Sequence, residues 1–271
     1  MTVAHATDAQ YPGAGAMYID LGAYYDAKAL RPFLEDIESL FGHYREYYKR
    51  AYGLIAAADC LSLSTFPGLI GEAERHAVNK KVSGAISREL GPARGRIAAV
   101  KPLQPRFISA LTCQGFVCLD STVSALCPRV YALDNEFGLA DPYIRAVADA
   151  AAKRGIPGIL CPDPIDPSRF EALLLPEMDL GFAAVSGHGG YGGECARHIR
   201  LDAIPVREKL RLMRTEIRAC SKLRAQLLGE SVAALSKAKA LHDELEDIYN
   251  PFVDFDSVYA LAQLHIDSLL G

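Results

Sequence analysis

The sequence predicts an α/β fold: a parallel sheet flanked by helices, with long helical hairpins attached. Three observations predict it. Arg129 to Gly155, RVYALDNEFGLADPYIRAVADAAAKRG, reads as a short buried strand (Val130 to Leu133), a turn and an amphipathic helix. LGFAAVS at 180–186 is an apolar run of the kind buried on both faces of a sheet. Two long stretches, 26–62 and 208–248, each read as one helix, the first with apolar residues at three- and four-residue steps.

Met1 to Thr7 reads as the end of a strand, followed by the AQYPGAG loop and MYIDLGAYY. The helix over 26–62 has Asp26 as its N-cap, with Pro32 near enough to the start to be tolerated. Leu30, Phe33, Leu34, Ile37, Leu40, Phe41, Tyr44, Tyr48, Tyr52 and Ile55 make its stripe. FPG at 66–68 breaks the pattern, Glu72 to Leu90 is a second helix, and GPARG at 91–95 is a linker. RFISAL at 106–111 and QGFVCLDS are strand-like, IPGILCPDP at 156–164 is a strand ending in a proline-punctuated loop, and Phe170 to Leu174 is a short apolar segment. The glycine-rich GHGGYGG at 187–193 reads as a loop, and Asp256 to Leu270 as the last helix.

The 271 residues are half hydrophobic and 23% charged, which places the chain among globular rather than disordered proteins. A net charge of -4 argues against bulk electrostatic binding of nucleic acid. No run of 18 apolar residues spans a membrane, and Met1 to Gly15 lacks the marks of a secretory signal. Seven cysteines without a CxxC pair fit reduced, mostly buried thiols in a cytoplasmic protein.

A shift of 180 residues aligns the two ends of the chain without a gap. Tyr11 then meets Tyr191, Gly13 meets Gly193, Leu30-Arg31 meets Leu210-Arg211, and Ile37 meets Ile217. Ala58 with Ala238, Leu61 with Leu241 and Leu90 with Leu270 continue the register. Shared helical stripes alone produce some such matches, but the tyrosine and glycine matches lie in loops. The expectation is a duplication: residues 1–95 as a truncated first repeat, mostly helical hairpin, and 96–271 as a whole α/β domain with its own C-terminal hairpin.

RFISALTCQGFVCLDS, CPDPIDPSRFEALLLPEMDLGFAAVS and SKAKALHDELEDIYNPFVDFDSV, with the N-terminal TDAQYPGAGAMYIDLGAYYDAKAL, resemble a poorly characterised group of bacterial ATPases with two tandem P-loop domains. The resemblance implies a P-loop NTPase-like sheet. In such a protein a GxxxxGK[ST] loop wraps phosphate with its amides, its Lys neutralises charge and its hydroxyl reaches Mg²⁺. Laid on that motif, Asn135 and Ala140 occupy the framing-glycine positions, Asp141 the lysine and Pro142 the Ser/Thr; Gly138 is the surviving internal glycine. Replacing Lys by Asp turns attraction for phosphate into repulsion, and Pro142 removes an N–H. The strand that ends in a metal-holding Asp in the family ends here in Ser186.

The implied function is therefore a non-hydrolysing, P-loop-derived scaffold or regulatory protein with no cofactor, meeting itself or a protein partner through its helical hairpins. The alternative is a nucleotide-binding protein or ATPase fragment that uses ATP and Mg²⁺ only with a complete P-loop from upstream sequence or a partner. The degenerate nucleotide positions would then be Asn135, Gly138, Asp141, Pro142, Ser186, Gly187, Gly189 and Gly190, with a small ligand held by the glycine-loop amides. His188, Cys195 and His198 could hold a metal but lack a fourth ligand. DPIDP with Glu171 and Glu177, and Asp134, Glu136 and Asp141, offer carboxylates that exposed turns explain equally well. Tyr18, Tyr24, Tyr25, Tyr44, Tyr47, Tyr48 and Tyr52 form a tyrosine-rich face suited to packing or to a partner.

Overall fold

The computed structural model describes residues 19–63, 68–92, 103–187, 189–205 and 207–270. They fall into two compact units: Arg50–Leu235, and Met1–Lys49 together with Ser236–Gly271.

The unit Arg50–Leu235 is α/β. Its strands are β1 (Gln104–Pro105), β2 (Ser109–Thr112), β3 (Gly115–Cys118), β4 (Arg129–Asp134), β5 (Ile159–Pro162), β6 (Phe170–Leu175), β7 (Leu180–Ser186), β8 (Gly189–Gly190) and β9 (Arg197–Ile199). Strands β2 and β3 form a separate antiparallel hairpin. The others make a seven-stranded sheet in the order β1-β5-β6-β7-β4-β9, with β8 on β7. The sheet is mixed rather than parallel: β4 runs parallel to β7 and β9, but β6 is antiparallel to both β5 and β7. The connection from Leu175 to Leu180 explains this. It is a single 3-10 turn, Pro176–Met178, with Asp179 left-handed at φ 54°. A parallel crossover needs a dozen or more residues, so only a hairpin fits.

Alternation along the strands gives the sheet two buried faces. Tyr131, Leu133, Leu173, Leu175 and Phe182 face one core. Val130, Ala172, Leu174 and Ala183 face another, with Val123 of helix α4 (Asp120–Leu126). The first core is covered by α5 (Ala140–Ala152), whose Tyr143, Ile144 and Val147 are fully buried. Phe182 sits 5.4 Å from the Tyr131 ring and 6.0 Å from the Tyr143 ring. Burying side chains of this size contributes about 1.5–3 kcal/mol each.

The two short helices α1 (Ala27–Leu30) and α6 (Arg207–Leu212) precede the long α2 (Leu34–Cys60) and α7 (Arg214–Tyr249). The expected single helices are thus each broken once near the start, the first where Pro32 sits in a 3-10 turn, Arg31–Phe33. The starts of α1 and α6, and of α2 and α7, are both 180 residues apart, the same offset that aligns the sequence with itself. In the larger unit, α2 and α7 meet at positions with that offset too. Ser231 Oγ donates to Ala51 O at 3.2 Å, both residues fully buried, and Arg50 pairs with Glu230 at 3.7 Å. Helix α3 (Glu72–Glu89) packs on α5 and ends against β4, where Tyr131 Oη donates to Glu89 at 2.6 Å.

In the smaller unit, Asp26 caps α1 with its side chain and donates its amide to Phe252 O, while Asp254 N donates to Tyr24 O. The rings of Tyr25 and Tyr249 meet edge-on at 5.5 Å, Tyr44 and Tyr48 at 4.9 Å, and Lys237 lies over the Tyr47 ring. Most of the tyrosine face is thus engaged in packing, although Tyr52, in the other unit, remains 62% exposed. Tyr18 lies outside the described residues. The last helix is α8 (Phe255–Leu270).

Glu74 is a buried acid of the larger unit. Gly71, at the N-cap of α3, has no side chain to offer, so Glu74 reaches back to the Gly71 amide at 2.8 Å and accepts from Lys209 Nζ at 2.9 Å. The Lys209 bond, then the Gly71 amide, hold its carboxyl below the usual range. A depressed acid stabilises the fold above its unfolded pKa, and that contribution fades as pH falls through the folded value. Glu74→Gln is expected to lower unfolding free energy by about 1–2 kcal/mol at neutral pH. In urea titrations its deficit relative to wild type should shrink toward acid pH.

Candidate functional site

In open α/β sheets ligands bind outside the carboxyl ends of the parallel strands. Here those are the ends of β4 and β7, which lie side by side: Asn135 N donates to Val185 O at 2.9 Å. The turn from β4 into α5 is closed on itself. Gly138 turns the chain at φ 69°, Phe137 and Leu139 are buried, and Asn135 Oδ1 accepts the amide of Ala140, the first residue of α5, at 3.1 Å. Asp202, from the segment after β9, accepts the Glu136 amide at 3.3 Å and also faces the Phe137 amide. A carboxylate of the chain therefore occupies donors that a phosphate would need.

Asp141 and Pro142 lie in the first turn of α5. The Asp141 carboxylate accepts the Phe170 amide of β6 at 2.8 Å and pairs with Arg145 at 2.9 Å. It works as a tie between helix and sheet, and the proline fits a first helical turn, where N–H groups have no intrahelical partner. Asp134 meets His198 Nε2 at 2.5 Å and lies close to Asp202. Burial first, then the Asp134 charge, pushes the Asp202 carboxyl up to about 6. Its Oδ1 is buried with no hydrogen-bond partner among the described residues.

Four of the eight expected positions come together around a cavity of about 40 Å³: Asn135, Ser186, Gly189 and Gly190. Gly138, Asp141, Pro142 and Gly187 do not line it. The glycine-rich segment is not an open loop. Gly189–Gly190 form β8 on the edge of β7, and Tyr191 N donates to Ala184 O, so that part of the backbone is spent on the sheet. Both glycines are required by close approach: a Cβ at Gly189 would meet the Phe116 ring at 2.6 Å, and one at Gly190 would meet Ala184 O at 2.5 Å.

The remaining polar walls are Asp163, Glu171 and Arg224, and the apolar walls include Leu111, Phe116, Ile165 and Leu228. Glu171 is 4% exposed and accepts from Ser109 Oγ at 2.6 Å; burial raises its carboxyl to about 7. Asp163 Oδ1 closes its own turn by accepting the Ile165 and Asp166 amides. Arg224, on α7, has a buried Nε with no hydrogen-bond partner among the described residues, and burial lowers its pKa. Arg224 was not anticipated from the sequence. The available signal was its spacing from the buried Leu228, Ser231 and Leu235, which puts a charge on the packed stripe of a helix.

The candidate metal residues do not all fall among the described ones. His188 lies outside the described residues, Cys195 is exposed and His198 is engaged by Asp134. Among the described residues the one group with metal-like spacing is His242, Asp243 and Glu246 on α7. All seven cysteines are free; burial raises the Cys118 thiol to about 12 and that of Cys127 to about 11. No helix among the described residues is long and apolar enough to cross a membrane.

An acid whose folded pKa lies above its unfolded value carries a penalty that is absent at low pH and complete once it ionises in the fold. For Asp202 the penalty grows between about pH 4 and about pH 6. Asp202→Asn is therefore expected to stabilise the protein by about 1–2 kcal/mol at neutral pH. Thermal melts across that window should lose part of their pH dependence in the variant.

Compared with protein-family models, curated proteins and solved structures, the chain matches none.

Proposed function

We propose that the chain is a non-hydrolysing scaffold or regulatory protein derived from a P-loop NTPase, with a duplicated architecture. The observation that carries this reading is the occupancy of the β4–α5 turn. Ala140 N is taken by Asn135, Glu136 N by Asp202, and the residue at the lysine position, Asp141, holds the Phe170 amide. Phosphate binding at a helix start needs free N–H groups and no opposing negative charge. This turn has its Glu136, Gly138 and Ala140 amides engaged, and Asp134, Glu136, Asp141 and Asp202 lie in or beside it. The 180-residue offset of the helix starts and of the Ala51–Ser231 contact supports the duplication.

Calorimetric titration with ATP or GTP in the presence of Mg²⁺ is expected to give no binding heat; micromolar affinity for either would reject the proposal. Asp141→Lys should not restore binding by itself, because it removes the Phe170 acceptor and sets a cation beside Arg145.

A scaffold also needs a surface. In the smaller unit, Phe255, Tyr259 and Ile266 recur at helical spacing on α8 while remaining 41%, 68% and 46% exposed. Such a stripe is normally covered. By this reading the protein self-associates through α8. Sedimentation velocity should show a dimer or larger species for wild type and a monomer for Tyr259→Glu; a wild-type monomer would remove self-association from the proposal.

A further inference from the structure

We propose that the cavity beside Arg224 is a binding site for a small monocarboxylate, with the guanidinium gripping the anion and the Glu171 carboxyl donating a hydrogen bond to it. This site borders the β4–α5 turn and shares Asn135 with it, but it takes its ligand on Arg224 and Glu171 rather than on the turn's amides.

Three features of the geometry converge on this ligand class. First, Arg224 brings a cation whose Nε is buried and has no hydrogen-bond partner among the described residues. Leaving a buried donor unmade costs on the order of 1–3 kcal/mol, more for a charged group, and a bidentate carboxylate is the partner that best fits a guanidinium. Second, the cavity measures about 40 Å³. A single water needs roughly 10–15 Å³ by the same measure, so the space suits a ligand of a few heavy atoms and not a nucleotide. Third, the walls supply both chemistries. Asn135 and Glu171 bring polar groups, and Leu111, Ile165 and Leu228 bring apolar ones against which a short aliphatic tail would pack.

Charge decides between a singly and a doubly charged anion. Glu136, Asp163 and Asp59 act on Arg224 through space, with Arg169 opposing them; three anions against two cations leave little surplus positive charge for a phosphate dianion. The groups that bear on Glu171 are Ser109, which hydrogen-bonds it, and Asp163, whose charge raises it. Burial first, with the Glu171 charge among the lesser causes, pushes the Cys118 and Cys161 thiols up, so they stay neutral near pH 7. Protonated Glu171 can donate to an oxyanion; ionised Glu171 repels it. Binding should therefore be strong below about pH 7 and weaken as pH rises through that value. By linkage, the bound anion raises the Glu171 pKa further.

The test uses the full chain and carbon-13-labelled acetate and propionate, followed by NMR line broadening at about pH 6 and about pH 8. Inorganic phosphate and chloride at matched ionic strength are the comparison arms. The expected result is saturable acetate or propionate broadening that is about tenfold weaker at the higher pH. It should be lost in Arg224→Gln and made insensitive to pH in Glu171→Gln. Should Arg224→Gln fail to fold, the loss of pH dependence in Glu171→Gln decides alone. Absent saturation, an undiminished effect in Arg224→Gln, a retained pH dependence in Glu171→Gln, or competition by chloride equal to that of carboxylate would each overturn the proposal. Tight phosphate binding with acetate silent would overturn the assignment of a monocarboxylate.

Discussion

Arg129 to Asp134 lies in parallel register with Leu180 to Val185, and the edge of the sheet inherits its arrangement from that pairing. The register places the end of β4 beside the end of β7, so Asn135 and Ser186 share one cavity. It also sets the two faces: Leu133 and Phe182 go to one core, Val130 and Ala183 to the other. A slip of one residue would exchange the faces of a strand. The tie from Asp141 to Phe170 and the aromatic contacts of Phe182 then fix α5 over the first face.

At the mouth of these strands, backbone donors that could receive a foreign anion are satisfied from within. Asp202 is the costly member of that arrangement, since its carboxylate is buried next to Asp134 with one oxygen unmatched. The neighbouring cavity differs. There the unmatched group is a donor on a cation, Arg224, and the adjacent carboxyl of Glu171 holds its proton up to about pH 7.

Much of this was readable from residue patterns, and the exceptions have physical causes. The strands at 129–134 and 180–186 fall where their apolar runs put them, because burial on both sheet faces leaves a strong signal. The antiparallel placement of β6 was missed although the chain states it: four residues between Leu175 and Leu180 cannot make a crossover. Asn135, Ser186, Gly189 and Gly190 could be placed near a site from the order of strand, turn and glycines. Asp202 and Arg224 could not. The first comes from a segment 66 residues beyond its Glu136 partner and the second from a long helix, and neither belongs to a local motif.

The meeting of Arg50 with Glu230 and of Ala51 with Ser231 has a consequence for what this chain can encode. Where two identical helices cross on a symmetry axis, each position there faces its own copy, so an arginine opposes an arginine. Opposite charges at such a point are available only when the two helices are written separately in one polypeptide. The Arg50–Glu230 pair is thus a difference that a self-pairing helix could not hold at that point.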